Sequence, residues 1–71
     1  MNYLGVQYLG ETRGCVKQYE LYNIMIDTYK DNEGTMWLVR VFDSFTNKYL
    51  GIVISYSANE WRFKMNMDIA S

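Results

Sequence analysis

Apolar and polar residues alternate along most of the chain, and a period of two residues is typical of β-strands. The pattern is clear from Tyr19 to Tyr29, where β-branched and aromatic residues are frequent. That content favours a strand over a helix. The polar segment 30–35 that follows contains Gly34, which can adopt a positive backbone φ, so the sequence predicts a turn there.

Two further segments alternate in the same way but are apolar on both of their faces. In the segment from Met36 to Asp43, one row holds Trp37, Val39 and Val41, and the other holds Met36, Leu38 and Phe42. In the segment from Tyr49 to Ser57, one row holds Leu50, Ile52, Ile54 and Tyr56. The loop 44–48 between them predicts a hairpin with Asn47 in the left-handed conformation. A strand that is apolar on both faces needs cover on both sides, which a closed barrel or a second subunit supplies.

The C-terminal segment supports two predictions. Ser57 to Glu60 matches a capping box that opens a helix. From Trp61 to Ile69, however, apolar and polar residues alternate strictly, and a helix would scatter the apolar residues around its circumference. The alternation favours a strand, with the helix as the alternative for residues 58–69.

The triplet Tyr-Leu-Gly occurs three times, beginning at Tyr3, Tyr8 and Tyr49. The first two tyrosines are five residues apart, an odd spacing that places them on opposite faces of a strand. The triplets therefore do not form a recognition stripe. They predict strand residues followed by glycine at a bend or bulge, as a small sheet needs in order to coil.

Together these patterns predict one small all-β domain over residues 1–71. Its strands form an antiparallel meander of four to five members, arranged as a partly closed barrel or a curled sheet. A chain of this length buries only about 60% of its unfolded surface. The single cysteine allows no internal disulfide, and the absence of histidine removes the commonest zinc ligand. We therefore expect the chain to self-associate as a homo-oligomer.

The charge and hydropathy of the chain exclude several classes of partner. Seven basic and eight acidic residues give a net charge of −1, which is not the basic surface typical of a nucleic-acid-binding protein. The N-terminus lacks a basic segment followed by an apolar stretch, and no apolar run is long enough to span a bilayer. We expect a cytoplasmic protein without membrane contact.

The sequence contains no recognisable catalytic set, so we predict that the chain is not an enzyme. Without histidine, Cys15 has no partner of the Cys-His type, and we interpret it as a passive apolar residue. The acidic residues around position 31 do not match a calcium loop, because Tyr29 and Arg40 would occupy its first and last ligand positions. We predict no cofactor and no metal.

The positive signal is the aromatic content of 17%, because tyrosine, tryptophan and arginine are the residues enriched at binding hot spots. We predict a non-catalytic protein–protein interaction module. The candidate partner-binding residues are Tyr22, Trp37, Phe45, Tyr49 and Trp61. Phe45 is the most informative, because it lies in a polar hairpin loop where no core requires it.

A narrower hypothesis rests on composition. Tyrosine, isoleucine, asparagine and methionine are plentiful while alanine, proline and histidine are scarce, a bias that suits an AT-rich genome. It fits a phage or mobile-element accessory protein that binds and inhibits or adapts a host complex. The alternative from a different class is a small β-barrel that stacks single-stranded nucleic acid on surface aromatics, assisted by Arg40, Lys48, Arg62 and Lys64.

Overall fold

The computed structural model describes residues 2–32 and 34–63 and shows one five-stranded antiparallel sheet. The strands are β1 (Asn2–Tyr8), β2 (Leu21–Asp31), β3 (Gly34–Asp43), β4 (Tyr49–Ser55) and β5 (Trp61–Arg62). Their order across the sheet is β4-β3-β2-β1-β5. The predicted all-β class and antiparallel meander are confirmed, and the three strands predicted from alternation are β2, β3 and β4.

The C-terminal region was predicted as a strand or, alternatively, a helix, and it contains one short helical turn followed by a short strand. Ser57 caps a single 3-10 turn, Ala58–Glu60, and its hydroxyl accepts a hydrogen bond from the Asn59 N–H at 3.1 Å. The α-helix that such a cap would open is not formed by the described residues, because β5 begins immediately at Trp61. Positions 64–69 of the predicted strand lie outside the described residues.

The sheet is curled, because a connection of five residues links two strands that lie on its opposite edges. Residues 56–60 run from the end of β4 to the start of β5. The two edges meet through side chains instead of a backbone ladder. The Ser55 hydroxyl lies 2.6 Å from Glu60 Oε1, and it accepts a hydrogen bond from the Trp61 indole N–H at 3.3 Å. The predicted curled sheet is therefore observed, without barrel closure among the described strands.

The core lies on the inner face of the curl, which is the face that carries Ile24, Val39 and Val53. The segment 9–20 crosses this face and contributes the fully buried Val16. The ring of Tyr8 packs on that of Trp61 with centroids 4.9 Å apart. Burying each such side chain stabilises the fold by about 1.5–3 kcal/mol. The buried hydrophobic residues are Val6, Tyr8, Val16, Tyr22, Ile24, Val39, Val41, Val53 and Trp61.

Two of the three Tyr-Leu-Gly triplets form β-bulges, and the third ends in a bend. The register of β1 shifts between Tyr3 and Val6, and that of β4 shifts beside Gly51. Gly5 has φ 62° and Gly51 has φ 151°, values that L side chains rarely adopt. Gly10 lies in the bend after β1. The prediction that these glycines mark bends and bulges is confirmed.

Replacing Gly51 with alanine should destabilise the protein more than replacing Gly34. Both glycines have positive φ, so each substitution carries a conformational cost of about 1–3 kcal/mol. A methyl group on Gly51 would also lie 3.1 Å from the Cys15 sulfur, whereas no described atom lies within 4 Å of the same position on Gly34. We expect Gly51→Ala to lose at least about 1 kcal/mol more than Gly34→Ala in urea unfolding. Equal losses would show that the contact with Cys15 carries no strain.

Candidate protein-binding surface

The loop between β3 and β4 is ordered by the side chain of the residue that precedes it. Asp43 Oδ1 accepts hydrogen bonds from the N–H groups of Phe45 at 2.8 Å and Thr46 at 2.9 Å. Asn47 has φ 62°, which confirms the predicted left-handed position, and its N–H donates to the Asp43 carbonyl at 2.9 Å. Three backbone groups of a five-residue loop are therefore fixed by one aspartate.

These two hydrogen bonds also lower the pKa of the Asp43 carboxyl group. The Thr46 N–H and then the Phe45 N–H are the main causes, because both stabilise the ionised form, and the pKa lies below its usual value of 3.8. The carboxylate that orders the loop is therefore charged at neutral pH.

The carboxamide of Asn23 joins this loop to the first bulge. Its Oδ1 accepts the N–H of Gly5 at 3.0 Å, and its Nδ2 lies 3.2 Å from Asn47 Oδ1 and 3.4 Å from the Asp43 carbonyl. Asn23 is only 9% exposed, so water does not replace these partners readily. A residue of β2 thus holds both β1 and the β3–β4 hairpin in place.

Phe45 projects from this ordered loop with 96% of its surface exposed. A shallow cavity of about 330 Å³ lies beside it, with Cys15, Tyr22 and Leu50 in its wall. Leu50 is itself exposed. The hairpin therefore displays an aromatic ring next to further apolar surface on a backbone that is already fixed.

The outer face of the sheet, which carries Met25, Leu38 and Ile54, is also rich in apolar residues. Leu38 pairs with Ile54 across β3 and β4, and Ile52 pairs with Arg40, so these side chains lie on one face. Ile52 and Ile54 are both 44% exposed. Arg40 and Asp27 form an ion pair within this face.

The exposed aromatic ring of Tyr49 borders the outer face at the hairpin end of β4. It is 53% exposed and packs edge-on against the ring of Phe42, with centroids 5.4 Å apart and an interplanar angle of 62°. The contact joins the start of β4 to β3, so this part of the outer face continues to the hairpin that carries Phe45.

The five predicted partner-binding residues lie in three different environments. Tyr22 and Trp61 are 7% and 3% exposed and belong to the core, so their selection as surface residues needs correction. The physical reason is that the polar group of each side chain has a partner within the same chain. The Tyr22 hydroxyl accepts the Lys17 N–H at 2.8 Å, and the Trp61 indole N–H donates to the Ser55 hydroxyl. Trp37 is half-buried beside Phe63, with ring centroids 6.4 Å apart.

Phe45 and Tyr49 are the two predicted residues that the structure exposes, and they lie at the same end of the sheet. Their contact with a partner stays a prediction. The residues that sequence analysis did not select are Ile52 and Ile54. The signal that could have identified them is the run from Tyr49 to Ser57, which carries no charged residue.

Within residues 2–32 and 34–63, no group of three or more Cys, Asp or Glu side chains is close enough together to hold a metal ion. Cys15 is half-buried against Gly51. In the same described part of the chain, no helix has the length and apolar content needed to cross a bilayer.

Comparison of the chain with protein-family models, with curated proteins and with solved structures finds no match.

Asn23→Asp should loosen the hairpin that presents Phe45. Aspartate keeps the acceptor for the Gly5 N–H but has no N–H donor of its own. The Asp43 carbonyl and Asn47 Oδ1 therefore each lose the hydrogen bond that the Asn23 side chain donates. We expect a loss of about 1–3 kcal/mol in urea unfolding. Chymotrypsin, which cleaves after aromatic residues, should cut after Phe45 faster in the variant, because the loop opens locally more often.

The matched control is Asn59→Asp, which makes the same change in an exposed side chain of the 3-10 turn. It should leave both the stability and the cleavage after Phe45 unchanged. If Asn23→Asp is cleaved no faster than this control, then the carboxamide does not order the hairpin.

The lowered pKa of Asp43 predicts how the stability of the hairpin changes with pH. A carboxyl group whose pKa is lower in the folded than in the unfolded protein stabilises the fold above the unfolded pKa, and this contribution disappears as the pH falls through the folded pKa. Asp43→Asn should therefore lower the thermal midpoint most near about pH 6, and the difference from wild type should shrink below pH 3.8. A difference that stays constant across this range would contradict the assignment.

Proposed function

We propose that the chain is a non-catalytic protein–protein interaction module that binds a protein partner through the Phe45 hairpin and also self-associates. The observation that carries the proposal is the combination of a 96% exposed phenylalanine with a loop fixed by Asp43 and Asn23. An aromatic anchor gains binding energy by entering a pocket on its partner. A loop that is ordered before binding loses less entropy when it binds.

The surroundings of Phe45 support a protein partner with a concave apolar surface. Leu50 and Leu21 are exposed beside the same cavity, while Lys17 and Glu20 are of opposite charge and border it too. Such a mixture of an apolar centre and a polar rim is typical of protein interfaces.

Self-association is supported by the outer face. Its apolar side chains lie outside the core cluster of the described residues, and a domain of this size gains stability from covering them. The narrower form of the proposal is that the module comes from a phage or mobile element and inhibits or adapts a host complex. Size and composition support that form.

Binding of single-stranded nucleic acid fits the arrangement of aromatic residues less well. Tyr29 lies near the β2–β3 turn, whereas Phe45 lies at the other end of β3, roughly 25 Å away at 3.3 Å per strand residue. Stacking platforms need neighbouring aromatic rings along a basic groove. In addition, Arg40 is already paired with Asp27.

Phe45→Ala should abolish capture of the partner without changing the fold. We would immobilise the tagged full chain, incubate it with a lysate of the cells that naturally express it, and quantify the captured proteins by mass spectrometry. Because Phe45 is almost fully exposed, its truncation should change the unfolding free energy by less than about 0.5 kcal/mol. The partner should be retained at least about tenfold less by the variant.

Tyr29→Ala is the matched control, because Tyr29 is an aromatic residue that is 46% exposed on β2 near the β2–β3 turn, away from both Phe45 and the β4 edge. It should retain the partner. A protein captured equally well by wild type and Phe45→Ala would remove the hairpin from the interface, and unfolding of Phe45→Ala would show that Phe45 is structural.

A further inference from the structure

The strand β4 forms one edge of the sheet and lacks most of the features that protect such edges. β3 is its neighbour on one side, and none of the described strands pairs with the other side. Edge strands usually avoid association by carrying charged residues or proline, by being very short, or by bulging. β4 has seven residues, Tyr-Leu-Gly-Ile-Val-Ile-Ser, without charge or proline. Its one bulge is beside Gly51, which leaves Gly51–Ser55 regular.

The direction of the backbone groups along this edge follows from the hairpin. The Asp43 N–H donates to the Lys48 carbonyl at 2.8 Å, so the odd-numbered residues of β3 turn their backbone groups toward β4. Val39 pairs with Val53, and therefore Val53 bonds to β3. Because successive residues alternate, the N–H and C=O groups of Ile52 and Ile54 point away from the sheet.

The side chains of the same two residues lie on the outer face, while the inner row of β4 is small and contains Gly51, Val53 and Ser55. The larger apolar row of this strand is thus the one that its own core does not use. Ile52 and Ile54 therefore carry both the half-exposed side chains and the backbone groups that no described strand pairs with.

We propose that β4 pairs antiparallel with β4 of a second copy about a two-fold axis at Val53, so that two sheets become one continuous ten-stranded sheet. This inference rests on the self-association in the proposed function and names its surface. In this register Ile52 faces Ile54 of the other copy twice, and each pair exchanges two backbone hydrogen bonds. The apolar row meets itself, and the net charge of −1 per chain opposes association only weakly.

The area that such a contact covers predicts a concentration-dependent dimer. The large side chains along this edge are Tyr49, Ile52, Ile54 and Tyr56, which are 44–62% exposed. At about 200 Å² for each large side chain, the pairing covers roughly 400 Å² of side chain per copy, plus the backbone of the edge. The total of about 1,000 Å² is at the lower end for a specific interface. A second copy, with its identical strand, fits this edge without any further change.

The experiment measures the solution mass of the full chain by light scattering behind a sizing column, over a range of loading concentrations. The mass should rise from 8.4 kDa toward twice that value. Ile54→Lys should raise the dissociation constant at least about tenfold, because it brings a charge to the paired edge. Leu21→Lys is the matched control, because Leu21 is 49% exposed and lies on β2, away from the edge. This variant should dimerise as the wild type does.

A second measurement separates edge pairing from a contact between two outer faces. In a Cys15→Ala background, Val53→Cys should form an intermolecular disulfide under mild oxidation. The two-fold axis brings its Cα atoms to about 4.5 Å, within disulfide range. Leu21→Cys should cross-link more slowly although it is far more exposed than Val53, which is 8% exposed.

The outcomes distinguish the edge from the rest of the proposal. A dimer that tolerates Ile54→Lys, or that fails to cross-link through Val53→Cys, overturns the edge pairing and leaves self-association standing. A monomer at every concentration overturns both. Neither result affects capture of a partner through Phe45. Should the Cys15→Ala background fail to fold, the cross-link of Val53→Cys is measured in the wild-type background, with the unsubstituted chain, which carries Cys15 alone, as the control.

Discussion

The architecture depends on one buried carboxamide, that of Asn23. It accepts the N–H that the β1 bulge removes from the ladder at Gly5, and it donates toward the hairpin at Asp43 and Asn47. The Gly5 N–H at the bulge loses its ladder partner and is satisfied by this side chain, which is worth about 1–3 kcal/mol, while the hairpin gains two further hydrogen bonds to Asp43 and Asn47. The side chain satisfies both at once from the strand between them. The position of the exposed hairpin is therefore coupled to the bend of β1, and the loop that carries Phe45 is fixed from the interior of the sheet.

The strands were predictable because their cause is local. Alternation of apolar residues, a glycine at each bend and an asparagine at the left-handed position all act within a few residues, and the structure agrees with each of them. The orientation of β4 was not predictable, because both of its rows are apolar. Ser55 faces inward, since its hydroxyl meets Glu60 and Trp61 where the two edges of the sheet approach. That contact exists only once the sheet has curled, so periodicity within one strand cannot indicate it.

The sequence predicted a surface residue correctly only where its type differs from that of its neighbours along the chain. Phe45 could be identified because a large apolar residue in a polar loop has no structural reason to be there. Tyr22 and Trp61 were selected by residue type, and residue type does not distinguish a core aromatic from an interface aromatic when both have a polar group that needs a partner. Ile52 and Ile54 were overlooked for the opposite reason. In a sequence they resemble core residues, and only the strand order shows that none of the described strands pairs with one side of β4.

The two surfaces have a joint consequence if both are used. Antiparallel pairing about Val53 directs the two β3–β4 hairpins to opposite ends of the paired strands. The loop of each hairpin begins at Lys48, five residues from the axis, so the two loops that carry Phe45 are at least roughly 33 Å apart at 3.3 Å per residue. A partner with two copies of the same pocket at that separation is bound bivalently, and the second contact then forms at a high effective concentration. A weak dimer of a weak binder therefore becomes selective for an oligomeric target. In that arrangement the same small apolar strand would stabilise the sheet and also set the spacing of its anchors, which would account for the isoleucines on the half-exposed outer face.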